Sequence, residues 1–224
     1  MAENILVIAV HPDDETLGCG GTLLKHREAG DILHWLILTS AREPQWPKNV
    51  LEEKTREIER VAAAYGMATT TRAGFPAAQL DQVAQNELLG KIRETIVATR
   101  PSVVYLVHGG DVNSDHRAAY EAASSVLKPF HLLKLGVRRI LCYETLSSTD
   151  AAPPDANRAF IPNVFVDIGN RIDRKIEIMG LYATEIQADP LPRGPSAIRA
   201  LARYRGATIA VDHAEAFMLI RDLA

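Results

Sequence analysis

Cysteine is nearly missing from this chain: Cys19 and Cys142 are the only two among 224 residues. Two thiols cannot build a disulfide framework, and their separation fits no metal-site spacing, so they read as buried thiols. Excess charge is missing too. With 25 Lys+Arg against 28 Asp+Glu the formal net charge is −3, which offers no basic face to a nucleic-acid backbone. The longest apolar runs, such as residues 5–10 and 35–38, fall far short of the roughly 20 residues of a membrane span. No basic stretch precedes the first run, so no secretory signal peptide is read there. Internal repeats, low-complexity tracts and domain linkers are absent as well. What remains is ordinary globular composition, 47% hydrophobic and 24% charged. The reading is one domain over residues 1–224, soluble and cytoplasmic.

Residues 5–10, Ile-Leu-Val-Ile-Ala-Val, form a continuous β-branched run suited to a strand buried on both faces. His11-Pro12 ends it, since proline cannot continue the ladder. A helix is expected over residues 16–29 even though Gly18, Gly20 and Gly21 weaken it, because those glycines permit close contact with a sheet. Residues 32–39 read as a second strand. Leu51, Ile58, Val61, Ala62 and Tyr65 then follow helical spacing up to Gly66, a C-terminal stop. Further helices are expected around 83–98, after Ser114 and at 196–204, and Ile172, Ile176, Met179 and Ala183 mark one face of another. Strands are expected at 103–107, 139–143 and 163–168, with a final segment at 209–220. Residues 188–195, with three prolines, read as the most mobile loop. Strands alternating with helices imply an α/β fold: a Rossmann-like, doubly wound, mostly parallel sheet flanked by helices. The first strand is followed by His-Pro-Asp-Asp rather than a glycine fingerprint, which disfavours a dinucleotide enzyme.

Ligands of an open parallel sheet bind beyond the C-terminal strand ends. Two polar clusters fall at such ends: His11-Pro12-Asp13-Asp14-Glu15 and Asn113-Ser114-Asp115-His116-Arg117. Taken singly, Asp13, Asp14, Ser114 and Asp115 read equally well as helix caps. Capping alone, however, does not call for two aspartates directly after a strand-end histidine, nor for an Asp-His pair at the second end. A catalytic zinc takes three His or Asp/Glu ligands and keeps a position open for water, whose pKa falls toward roughly 7. His11, Asp14 and His116 supply such a set, and Asp13 is the natural general base. The mixed nitrogen and oxygen donors also accept other divalent transition metals.

With these residues in hand, Ala9-Val10-His11-Pro12-Asp13-Asp14-Glu15 resembles the signature of the LmbE/PIG-L family of zinc-dependent N-deacetylases, in its bacterial branch, and Asp115-His116-Arg117 resembles its second motif. The stretches Tyr143 to Thr149, Ile161 to Ile168, Tyr204-Arg205-Gly206 and Ala214-Glu215-Ala216-Phe217 are similar to bacterial members, so the resemblance covers nearly the whole chain. It implies removal of the N-acetyl group from an amino sugar or its conjugate, by attack of a zinc-bound water that Asp13 deprotonates. The implied partner is a small N-acetylated sugar, with no nucleic acid and no membrane span; some relatives are homo-oligomers.

One departure stands out. Several relatives carry a histidine where this chain has Asn113, and asparagine cannot titrate. Asp13 could return the proton to nitrogen, or another histidine could serve, with His213 the candidate. Asp115 is expected to orient a neighbouring ligand. Arg42, His108, Glu144 and Arg193 are weighed as substrate contacts, against ordinary surface or loop roles. Trp46 could stack on a sugar ring. Two alternatives stay open: the same amidase chemistry on a thiol conjugate or antibiotic precursor, and a metal- or carbohydrate-binding protein without catalysis.

Overall fold

A computed structural model describes residues 2–224. Six strands and four helices account for all of the sheet except one edge strand. In chain order they are β1 (Asn4–Ala9), α1 (Asp14–Ala29), β2 (Ile32–Ser40), α2 (Lys48–Tyr65), β3 (Thr69–Pro76), α3 (Gln85–Thr99), β4 (Val103–Val107), α4 (Ser114–Val126), β5 (Arg139–Tyr143) and, last in the chain, β7 (Ala214–Asp222). Between α4 and β5 lies α5 (Pro129–Leu135); between β5 and β7 lie β6 (Val164–Asp167), α6 (Arg171–Met179) and α7 (Pro195–Thr208). The strands form one sheet in the order β3-β2-β1-β4-β5-β7-β6. From β3 to β5 all pairs are parallel. β7 runs antiparallel to both of its neighbours. The α/β, mostly parallel architecture read from the sequence is thus the observed one.

Sequence explains most of these elements locally. Every residue of β1 after Asn4 is buried, as expected of a strand covered on both faces. α2 ends on Gly66 at φ 68°, a left-handed conformation that glycine adopts without penalty. In α1 the glycines do what close packing demands. A methyl at Gly18 would lie 2.0 Å from the Tyr143 ring, and one at Gly21 would lie 2.8 Å from Ile168.

α1 is also broken at Cys19, whose φ of −139° is not helical. The break leaves the amides of Gly21 and Thr22 in need of acceptors. Glu215 of β7 takes both, at 2.8 and 2.7 Å, and Lys175 of α6 pairs with the same carboxylate at 2.7 Å while donating to the Leu17 carbonyl at 2.8 Å. Glu215 thus acts as a cap inside the helix, and the buried charge pair is satisfied on both sides.

The structure departs from the sequence reading in several places. β3 and α5 have no counterpart in it. The helix read through Ala183 stops at Met179, and the one read as 196–204 extends over Pro195–Thr208. Residues 209–213, read as part of the last segment, instead turn back on α7: the Val211 amide donates to the Gly206 carbonyl at 3.0 Å, and β7 begins only at Ala214. No helix among the described residues is long and apolar enough to cross a membrane.

Candidate metal centre

β1 and β4 are neighbours, so the loops leaving their C-terminal ends meet. The β1 loop carries His11, Asp13 and Asp14; the β4 loop carries Asp111, Asn113 and His116 into the start of α4. Asp14 folds back on its own strand end, one oxygen accepting the amides of Val10 and His11 at 2.9 and 2.7 Å. Its other oxygen stands 3.3 Å from His116 Nε2. His116 Nε2 is also 3.3 Å from His11 Nδ1, and His11 Nδ1 is 3.7 Å from Asp14. Ligand atoms from all three residues lie within 4.8 Å of one another.

The far side of each ring shows what these near atoms are for. His116 Nδ1 donates to Asp111 at 3.0 Å, and His11 Nε2 donates to Asp115 at 3.2 Å. Each far nitrogen donates to a carboxylate, so a neutral ring presents the lone pair of its near nitrogen to the other ring and to an Asp14 oxygen. Three acceptors so placed repel unless a cation joins them, either a proton on His116 Nε2 or a metal ion. Zinc bonds of about 2.0–2.1 Å in a tetrahedron put neighbouring ligand atoms about 3.3–3.4 Å apart, close to the spacings seen here. The donor set and its orientation fit a divalent ion.

The electrostatics agree. Burial works to lower the pKa of His116, but Asp14 and Asp111 outweigh it and push it up to about 10. Burial works to raise Asp14, yet contact with His116 and His11 brings it down to about 2. Without a metal, His116 therefore keeps a proton toward Asp14, and a divalent ion bound here takes that proton's place. Asp13 behaves oppositely: burial, then the neighbouring Asp14 charge, raises its carboxyl well above the usual range, although Arg193 works against this. Its backbone φ of 121° is strained for a residue with a side chain, a kind of strain that gathers at functional sites. Glu15 supports it, accepting the Asp13 amide at 3.2 Å and the Tyr182 hydroxyl at 2.7 Å.

A cavity of about 410 Å³ opens beside the cluster, within the range of small-molecule sites. Asp13, Asn113, Trp46, Lys54 and Arg193 are on its wall with the three candidate ligands. Asn113 caps α4, its side-chain oxygen accepting the Asp115 amide at 2.9 Å, which leaves its NH₂ as the group free to donate. Asp115 is no cap: it accepts the amides of Ala78 and Leu80 at 2.6 and 2.9 Å and holds the His11 ring.

Four residues read as site candidates are not brought to this cavity. His213 precedes β7, its carbonyl accepting the Ile168 amide at 3.0 Å, because the chain turns back there toward the β6 edge. His108 donates to the Arg158 carbonyl at 2.8 Å and so fastens a loop. Glu144 forms a two-pronged pair with Arg205, at 2.7 Å on each side. Arg42 donates to the Gly74 carbonyl on β3.

Asp111 is a site residue that the sequence reading misses. Its one signal there is an acid in a glycine loop five residues before His116. Fully buried, it also accepts the Thr149 hydroxyl at 2.9 Å and the Asn113 amide at 2.9 Å. Partners of this kind typically change metal affinity 10–100-fold when removed. Asp111→Asn is therefore expected to weaken zinc binding by roughly 10–100-fold in a competitive chelator titration; unchanged affinity would remove Asp111 from the site.

The fold and cluster define a class: an open α/β sheet with a two-His, one-Asp cluster that could hold a metal ion, set in the loops beyond its strand ends. The chain belongs to the PIG-L family, described as GlcNAc-PI de-N-acetylase, whose model matches residues 6–127. That span holds both histidine loops. A curated relative, the uncharacterized deacetylase YaiS of Escherichia coli (strain K12), is 24% identical over 171 residues, covering 74% of this chain and 82% of its own. Among solved structures, the conserved protein TT1542 from Thermus thermophilus is 29% identical, with TM-score 0.78 over 99% of this chain and 96% of its own. The N,N'-diacetylchitobiose deacetylase from Pyrococcus horikoshii, in complex with its inhibitor MPG, is 18% identical, with TM-score 0.78 over 98% and 84%; at that identity the likeness shows the fold. Family membership supports N-deacetylation.

Proposed function

We propose that the protein is a metal-dependent N-deacetylase acting on an amino sugar or amino-sugar conjugate, with zinc the ion held by His11, Asp14 and His116. The observation that carries this reading is the pair of imidazole nitrogens turned toward each other and toward Asp14, with the base-like Asp13 beside them on the cavity wall. When bound there, a divalent ion lowers the pKa of water and polarises a carbonyl. The chain does the rest. Asp13 takes a proton from the attacking water and delivers one to the departing nitrogen, so that amide and water become acetate and amine. The Asn113 NH₂ is a donor for the oxygen that gains charge. Asp111 and Asp115 keep both rings in the tautomer that leaves their near nitrogens unprotonated. Trp46 offers an apolar face to a sugar ring.

The test is acetate release from a panel of N-acetylglucosamine conjugates, with and without chelator. Chelator-sensitive release from at least one is expected; none across the panel would contradict the reading. N-acetylated thiol conjugates and antibiotic precursors in the same panel separate the alternative amidase. Asn113 caps a helix and offers no titrating acid, which favours a second reading, a non-catalytic binding protein. One bound zinc without turnover is its signature.

A further inference from the structure

Arg193 lies in the irregular stretch between α6 and α7, far in sequence from both histidine loops and beyond the span that the family model matches. Its Nη1 donates to Asp13 Oδ2 at 3.2 Å and to Glu185 Oε2 at 2.8 Å. The other oxygen of Glu185 pairs with Lys54 of α2. Lys54 also reaches the Thr184 hydroxyl at 3.1 Å. Thr184 is in turn fixed by its amide and hydroxyl to the buried carboxylate of Glu57, both at 2.8 Å. The stretch closes on itself as well: the Arg193 amide donates to Gln187 Oε1 at 3.1 Å, and the Ser196 amide to Asp189 Oδ1 at 3.0 Å. Residues 188–195, read from the sequence as the most mobile loop, are thus tied down at several points. One continuous chain of contacts runs from α2 to the carboxylate of Asp13.

The geometry points to Arg193 as the positioning residue of the base: by holding Asp13 Oδ2 it leaves Oδ1, which makes no hydrogen bond among the described residues, as the oxygen that meets the attacking water. This rests on the deacetylase reading. Asp13 has only 4% of its surface exposed, so the pair is screened far less than one in open solvent. A carboxylate at the tip of a two-torsion side chain otherwise has several rotamers to sample. A charge-assisted bond from a guanidinium that is itself anchored on Glu185 selects one. Reaction rates depend steeply on such placement, since a displacement of about 1 Å can cost about 10²-fold. Arginine suits the task because the two N–H bonds of its Nη1 have fixed directions in a rigid plane, one toward each carboxylate, whereas lysine presents a single charge on a flexible stem.

The competing role is a tether that merely fastens this stretch to α1. Arg193→Ala and Arg193→Lys, each saturated with zinc, separate the two. Positioning predicts a kcat lower by about 30–100-fold in Arg193→Ala, with KM within about threefold and one zinc per chain retained. Added guanidinium is expected to restore at least about a tenth of wild-type kcat, and Arg193→Lys to fall between. A tether predicts a lower melting temperature with kcat within about threefold of wild type, or a loss that guanidinium does not repair; either overturns the proposal, as does a loss confined to KM. Should Arg193→Ala not fold, Glu185→Gln, which loosens the same guanidinium from the other side, must lower kcat by about fivefold or more with KM unchanged, and an unchanged kcat there overturns it equally. An inactive wild type would count against the deacetylase reading itself. An active wild type with an equally active Arg193→Ala would defeat only the role given to Arg193.

Discussion

Asp13→Asn is expected to lower kcat for acetate release by about 10³-fold while zinc content stays at one per chain. General-base catalysis contributes typically about 10²–10⁴-fold, and a factor of 10³ corresponds to about 4 kcal/mol of barrier. The substitution is chosen to change chemistry and little else. Asparagine has nearly the shape of aspartate and is among the residues that best tolerate positive φ, so the strained backbone at 121° is preserved. Its amide oxygen can still accept from Arg193, which lies 3.2 Å away. Asp13 is also outside the converging set of His11, Asp14 and His116, so the ion is not disturbed. What disappears is a buried carboxylate whose proton affinity is raised by its surroundings, the property a base needs. Steady-state kinetics with elemental analysis on one preparation decide it. Wild-type turnover in Asp13→Asn would take the base role away from this residue.

The second large effect is loss of the ion. His116→Ala is expected to bring activity to background, at least about 10³-fold down, because it removes one of three ligands and strands Asp111, whose partner it is. Chelation of the wild type should do the same and be reversed by added zinc. Stability gives an independent readout. An ion present at about 1,000 times its dissociation constant adds about 4 kcal/mol to folding, which for a chain of this size is on the order of 10 °C in melting temperature. Wild type is therefore expected to melt on the order of 10 °C higher with zinc than with chelator, and His116→Ala to lose most of that difference. Equal zinc stabilisation of both proteins would place the ion elsewhere.

How much of this was legible in the sequence follows from where the information resides. β4 and β5 coincide with the apolar runs at 103–107 and 139–143, because a strand buried on both faces writes itself as uninterrupted hydrophobicity. β3 escapes that signal. Thr-Thr-Thr-Arg-Ala-Gly-Phe-Pro is a half-exposed edge strand with polar residues where a central strand has valine. α5 is short and leaves Phe130 and Leu133 mostly exposed, so it shows no amphipathic period. The direction of β7 is set by long-range pairing rather than by local pattern.

The site divides in the same way. His11, Asp13 and Asp14 directly follow β1, and His116 lies in the first turn of α4 after the loop that leaves β4, the ends to which fold class directs attention. Asp111 is missed and Arg193 is weighed only as a substrate contact, because their contacts, with residues 5 and 180 positions away, show only in the packing. His213 illustrates the converse: a histidine beside a family-like stretch whose backbone turns toward the β6 edge, away from the cavity.

Zinc titration of metal-stripped protein, read by elemental analysis after removal of free ion, tests the central claim most directly. One zinc per wild-type chain is expected, with binding lost in the His11→Ala, Asp14→Ala and His116→Ala variants while each remains folded by circular dichroism. Folded wild-type protein that retains no divalent ion, or folded variants that retain it as wild type does, would contradict the account.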